Sequence, residues 1–299
     1  MVTVLALGAA LAYGVADFLG GAVARRSTAL KALAWCVPMG LAVVLLSALV
    51  TGGGTGWGQM AWGFGAGLAG GTGLITFYRA LARGPMSVVA PVSALTAAVL
   101  PVAVGTLRGE RLDAMVLLGV LLCVVAIGLV SMEDGGNKEG ASDTGAESAT
   151  SGLRRLLDSG PVMAAVSGAC FGIFFVLLKT AGDGGGLWPL VAARAGNLVV
   201  VLAALLFMAL FKGGAAGPPV AGRTLIGLAL LSGALDAGAN ALYFIAARDG
   251  MLSLAAVLTS LYPAITVLLA RAAYSERLRA VQRVGMAVAV AGVALVTVG

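Results

Sequence analysis

Apolar runs of about 20 residues recur along almost the whole chain, and such a run is what a helix needs to cross the hydrocarbon core of a bilayer. Ten stretches qualify: residues 2–24, 32–51, 60–82, 86–107, 113–132, 161–180, 187–211, 224–247, 251–272 and 281–298. Of the 299 residues, 60% are hydrophobic and 11% charged, whereas a water-soluble domain carries about a quarter charged residues. Charges this sparse cannot cover a soluble protein of this size. In lipid a helix satisfies its own backbone groups. The expectation is therefore an all-α membrane protein with ten transmembrane helices.

Several other classes drop out. Met1 to Ala24 has no basic leader region, outruns the apolar segment of a signal peptide and ends at Arg25-Arg26; it reads as a retained first helix. Cys36, Cys123 and Cys170 lie scattered in apolar segments without a CxxC pair, so they read as small core side chains. There is no histidine, which removes imidazole proton relays and imidazole metal ligands. Gly65-Ala66-Gly67-Leu68-Ala69-Gly70 spells a dinucleotide fingerprint, but no strand precedes it. Gly63, Gly67 and Gly71 instead recur every four residues, the mark of a close helix-packing face, and Gly8, Ala12, Ala16, Gly20 and Ala24 form a similar stripe. No phosphate-binding loop motif occurs, so ATP-driven transport by this chain alone is not expected; the reading includes no cofactor. The net charge of +6 does not point to nucleic acid, because Lys and Arg stand at the ends of apolar runs. Trp35, Trp57, Trp62 and Trp188 stand near predicted helix ends and read as interfacial residues.

The chain also repeats itself. Glu110-Arg111-Leu112, followed by Gly119, recurs as Glu276-Arg277-Leu278, followed by Gly285, at one constant offset that Ser87 and Ser253 share. Tyr78 and Tyr243 match with one residue of slippage, and Tyr13-Gly14 resembles Phe171-Gly172. The repeats are residues 1–132 and 161–299, joined by a linker, 133–160, rich in Gly, Ser, Glu and Asp. A unit with five spans, repeated, must sit upside down relative to its copy. Two inverted five-helix repeats are a mark of secondary transporters, which bind substrate near the midplane between the repeats.

With these motifs in register the chain resembles the EamA-type branch of the drug/metabolite transporter superfamily. The resemblance rests on the paired aromatic-Gly motifs, the Tyr-bearing third helix of each half leading to Ser87 and Ser253, and the Glu-Arg-Leu turns. Pro263 stands where the pattern leads one to expect it in the second half; the matching position in the first half is Ala97, with the proline at Pro101. The resemblance implies ten helices in two inverted bundles and transport of a small metabolite, often outward. An amino acid or related compound is implied by the resemblance alone.

Ionisable residues inside a membrane are costly and by default functional. Asp17 lies well inside the first run and Asp236 near the middle of the eighth. Ser232, Asp236, Asn240 and Tyr243 share one helical face; the corresponding face of the third run holds Gly67, Gly71, Ile75 and Tyr78. The polar stripe suits substrate or proton binding, or else hydrogen bonds between helices. Arg194, three residues before Asn197, either reaches the interface or pairs with Asp236 or Asp17. Lys179 reads as an interfacial anchor, and Glu110 and Glu276 as partners of the adjacent arginines. The expected substrate site is a midplane cavity between the first, third, sixth and eighth helices, with Tyr13, Asp17, Tyr78, Phe171, Arg194, Asp236, Asn240 and Tyr243 as its candidate residues. Asn240 would orient the substrate. The carboxylates would neutralise an ammonium group or carry protons, Asp236 ahead of Asp17.

The reading is thus a secondary active transporter in the cell membrane, with a small-molecule substrate, the lipid bilayer as its surroundings and proton coupling as an option. The competing class is a passive channel or facilitator, which needs no titrating carboxylate. A membrane-embedded enzyme would need a dense cluster of catalytic residues, and the sequence has none. Oligomeric state is not legible. Fourteen Lys and Arg residues fall in loops on the linker's side and four on the other, which places the linker in the cytoplasm and both termini outside; the resemblance points the opposite way.

Overall fold

The computed structural model describes residues 2–54, 56–107, 114–131, 159–211, 217–249, 262–274 and 280–298. These form helices, in chain order α1 (Val2–Arg26), α2 (Ala29–Thr51), α3 (Trp57–Arg83), α4 (Met86–Leu107), α5 (Ala114–Ser131), α6 (Gly160–Thr180), α7 (Trp188–Phe211), α8 (Arg223–Asp249), α9 (Tyr262–Tyr274) and α10 (Ala280–Val298). A short 3-10 turn, Asp183–Gly185, precedes α7. Five helical segments among the described residues are long and apolar enough to cross a bilayer: Val4–Arg26, Ala29–Thr51, Gly160–Thr180, Trp188–Phe211 and Arg223–Tyr243. Of the apolar run expected over 251–272, only the part from Tyr262 onward is described. Glu110, Arg111, Ser253, Glu276, Arg277 and all but the last two residues of the linker lie outside the described residues.

The outer surface is apolar. Trp57 is 94% exposed, and Leu202, Leu206, Leu210 and Phe211 line up outward along α7. A water-soluble monomer rarely presents contiguous apolar surface on this scale, whereas lipid-facing helices must.

Inside, the helices of the first half pack mainly on helices of the second. α1 lies along α8 and α9, α2 along α7 and α8, α3 along α6 and α7, α4 along α6, and α5 along α10. Small residues permit these crossings. At the α3–α7 seam Gly63 faces Pro189, Gly67 faces Ala193, and Gly71 faces Asn197 and Val200; Gly196 meets Phe64 and Gly67 from the other side. A methyl group at Gly67 would run into the Ala193 carbonyl, so the four-residue glycine spacing is a close backbone contact, as its pattern led us to expect. The two aromatic-Gly motifs do the same work twice. Gly14 lets α1 meet Tyr262 and Ile265 of α9, and Gly172 lets α6 meet Ala97 and Leu100 of α4.

Serine and threonine hydroxyls cross several of these seams. Ser167 of α6 donates to the Gly73 carbonyl (3.0 Å), Ser232 of α8 to Ala16 (2.8 Å) and Thr266 of α9 to Gly14 (3.2 Å). In a medium without water such groups need internal partners. The core between α1, α3 and α4 is filled by Val23, Leu81, Met86, Val89 and Val92, all fully buried.

Candidate functional site

Between α1, α2, α3, α7 and α8 lies a narrow cavity of about 20 Å³, on the scale of a single water molecule. α1 contributes Ala16 and Asp17, α2 Leu33, Cys36 and Val37, α3 Leu74 and Tyr78, α7 Arg194, and α8 Gly233 and Asp236. Asp236 is the fourteenth of the 27 residues of α8, so the cavity sits at mid-depth in the bundle.

Its charged floor is an ion pair. Arg194 Nη1 stands 2.5 Å from Asp236 Oδ2. Arg194 is 7% exposed, so this cation does not extend to the interface; it turns inward to a carboxylate on the neighbouring helix. Space for the guanidinium comes from two glycines. Gly40 of α2 lies beside Arg194 Nη1, and Gly233 of α8 packs on the Cys36 backbone. Larger residues at either point would hold α2 and α8 apart. Asp17 lines the same cavity, close enough to Asp236 for the two carboxylates to repel, and no hydrogen bond or ion pair engages it among the described residues. Two carboxylates therefore share one guanidinium, and the guanidinium is committed to Asp236.

Tyr78 forms the opposite wall. Its hydroxyl lies over Gly20, one turn beyond Asp17, where any side chain on α1 would collide with the ring. Ser232 spends its only proton on the Ala16 carbonyl. Its oxygen must then accept from Tyr78 at 3.2 Å, and Cys36 Sγ lies 4.0 Å from the same tyrosine hydroxyl. With its proton so used, Tyr78 offers the cavity lone pairs and a ring face. One polar chain thus ties α1, α2, α3 and α8 around the cavity.

Four of the eight sequence candidates, Asp17, Tyr78, Arg194 and Asp236, meet at this cavity. The other four stand elsewhere. Tyr13 packs its ring on Tyr262 at 5.8 Å, within electrostatic reach of Asp236, Arg194 and Tyr243. Phe171 fills the α3–α6 seam, edge-on to Phe77 at 5.9 Å and against Gly73; α6 contributes nothing to the cavity lining, being pressed onto α4 through its own Gly168 and Gly172 and onto α3 through that helix's Gly70 and Gly73. Asn240 turns its amide back onto the Asp236 carbonyl of its own helix, 2.7 Å away. Tyr243 is half-buried on α8, one turn further on. One contributor, Cys36 on α2, escaped the sequence reading. Cys36 is buried like a core side chain yet faces the cavity, and α2 carries no charge in the middle of its apolar stretch that would have singled it out. Lys179 ends α6 at the surface, as an interfacial anchor would.

A lipid-facing bundle that keeps an arginine and two aspartates at mid-depth is a multi-pass membrane protein. Residues 158–298 match the family profile of the EamA-like transporter family, so the second half of the chain is similar to a family of membrane transporters, in agreement with the resemblance carried by the motifs. A solved structure described only as "Crystal structure of protein" is similar over 99% of this chain and 96% of its own, with a TM-score of 0.60 and 21% identity; that likeness concerns the fold alone. Comparison with curated proteins gives no match.

Proposed function

We propose that this chain is a secondary active transporter of a small polar or amphipathic metabolite, an amino acid or a related compound, working in the cell membrane with ten spans in two inverted repeats, 1–132 and 161–299. One observation carries the reading: the mid-depth cavity holds Asp17 and Asp236 against a single guanidinium, which leaves one carboxylate for a mobile cation. A proton or a substrate ammonium group would fill that role, and competition between them at one site suffices to couple their movements. Asp17, without a hydrogen-bond or ion-pair partner among the described residues, is the proposed carrier. Asp236 fixes Arg194, and Arg194 is in turn placed to meet an acidic group on the substrate.

The inverted arrangement draws support from the packing. Exchanging each helix for its counterpart five places along turns α1–α8 into α6–α3, α2–α8 into α7–α3, and α1–α9 into α6–α4, and every one of these pairs is in contact. The matched roles of Gly14 and Gly172 support it as well. The narrowness of the cavity suits a state contracted around the ion pair, with the substrate entering when the repeats rock apart.

The test is counterflow of labelled metabolites in proteoliposomes, with and without a pH gradient. Uptake driven by the gradient, lost in Asp17→Asn, is the expected result. Flux that ignores both the gradient and removal of the two aspartates would make the protein a passive facilitator.

A further inference from the structure

We propose that Arg25 and Tyr274 form a latch that seals the linker-facing end of the cavity and must part before that end can open. The proposal rests on the transporter reading above, since only a transporter needs the end to open. α1, α3 and α9 all finish at this end of the bundle, and so does the start of α6, where the linker joins. The last carbonyls of α3 have no partners within their own helix and carry the negative end of its dipole. Arg25 supplies both needs. Its Nε donates to the Leu81 carbonyl at 2.8 Å and its Nη2 to the Gly84 carbonyl at 2.7 Å, charge-assisted bonds in the fork geometry of a guanidinium.

The face of the guanidinium is covered in turn by the Tyr274 ring, 4.6 Å away, in the range of cation–π attraction. That ring also lies 5.9 Å from Phe18. Tyr274 ends α9, which belongs to the second repeat, whereas Arg25, Phe18 and α3 belong to the first. The contact therefore bridges the two units that would rock apart.

Its position makes it a seal. Asp17, Gly21 and Arg25 follow one another at four-residue steps along α1, so Arg25 stands two turns, about 12 Å, above Asp17 on nearly the same face. Gly21 between them packs against Leu81 and Met86, closing the space below the latch. Above it Tyr274 is 38% exposed among the described residues, so the contact stands at the outer edge of the bundle. Breaking the contact parts the end of α9 from the α1–α3 corner, beyond the point where Gly14 and Thr266 hold α1 and α9 together.

Cys36 is a native reporter, because it lines the cavity. Cys123→Ala and Cys170→Ala leave it as the sole thiol. The full chain in vesicles is exposed to a membrane-impermeant maleimide on the linker-facing side, identified with a Ser142→Cys control that lacks Cys36. Slow labelling is expected with Arg25 and Tyr274 intact. Arg25→Gln and Tyr274→Ala are each expected to speed it about tenfold or more, since the closed state loses charged hydrogen bonds or their cover. Arg25→Lys, which keeps the charge without the fork, should speed it less. Fast labelling of the unaltered chain from that side, or a rate that neither variant changes in monodisperse protein, overturns the latch. Labelling does not depend on any transported compound, so a failure here leaves the counterflow result standing, and the reverse holds too.

Discussion

Arg194 and Asp236 stand 42 positions apart in the sequence, on different helices, and meet at 2.5 Å in the middle of the bundle. Removing one member of such a pair strands the other charge away from water. Asp236→Asn or Arg194→Gln should each destabilise the protein by about 3 kcal/mol, the low end for a broken buried pair, because the Asp236 side chain is 30% exposed. The double variant Arg194→Leu/Asp236→Leu has no stranded charge and should recover most of the loss. Thermal unfolding midpoints in detergent give the comparison. Equal losses in the single and double variants would mean that the pair matters through packing alone.

Asp17 should behave differently. It has no partner among the described residues to strand and it is repelled by Asp236, so Asp17→Asn should leave the unfolding midpoint at or above that of the unaltered chain. Gradient-driven uptake should vanish while exchange of substrate for substrate persists, because exchange needs no proton transfer. If Asp17→Asn transports with an unchanged pH dependence, the carrier is another group.

Parts of this site were legible in the sequence and parts were not. Asp17 and Asp236 stood out because a charge inside an apolar run has few explanations. Arg194 stood out for the same reason, with the interface, Asp236 and Asp17 all open to it; the choice of Asp236 was not legible, since helix pairing is long-range and no spacing rule links residues on α7 and α8. The stripe of Ser232, Asp236 and Asn240 was real as a helical face, yet periodicity does not say which neighbour a face meets. Ser232 meets Tyr78 and Ala16, Asp236 meets Arg194, and Asn240 bonds back to its own helix. Cys36 was hidden because a thiol in an apolar run looks like any small core side chain. The glycine pattern was the most informative of all, since only a close helix contact requires that spacing.

Orientation can be read from outside the bundle. If the excess of Lys and Arg on the linker's side sets the topology, that side is cytoplasmic and the chain ends outside. A periplasm-active reporter joined after Gly299 should then be active, and a cytoplasm-active one silent. The opposite pattern would mean that the topology implied by the resemblance prevails over this chain's charge bias.

The α3–α7 seam offers the sharpest test of the packing, because one helix carries its own control. Gly65 and Gly67 lie two residues apart on α3. Nothing stands within 4 Å of where a Cβ at Gly65 would lie, whereas a Cβ at Gly67 would overlap the Ala193 backbone carbonyl. A carbonyl in a helix cannot swing aside as a side chain can, so Gly67→Ala must push α7 away bodily, at a cost of about 1–3 kcal/mol or more for overpacking. Moving α7 also moves Arg194, which lies one residue beyond Ala193, so counterflow should fall along with stability. Gly65→Ala should do neither; replacing a helical glycine with open space around it removes backbone freedom from the unfolded chain and should stabilise by up to about 1 kcal/mol. Unfolding midpoints and counterflow rates for the two variants, measured side by side, decide the matter. Equal behaviour of the two would mean that α3 and α7 do not meet through this glycine face.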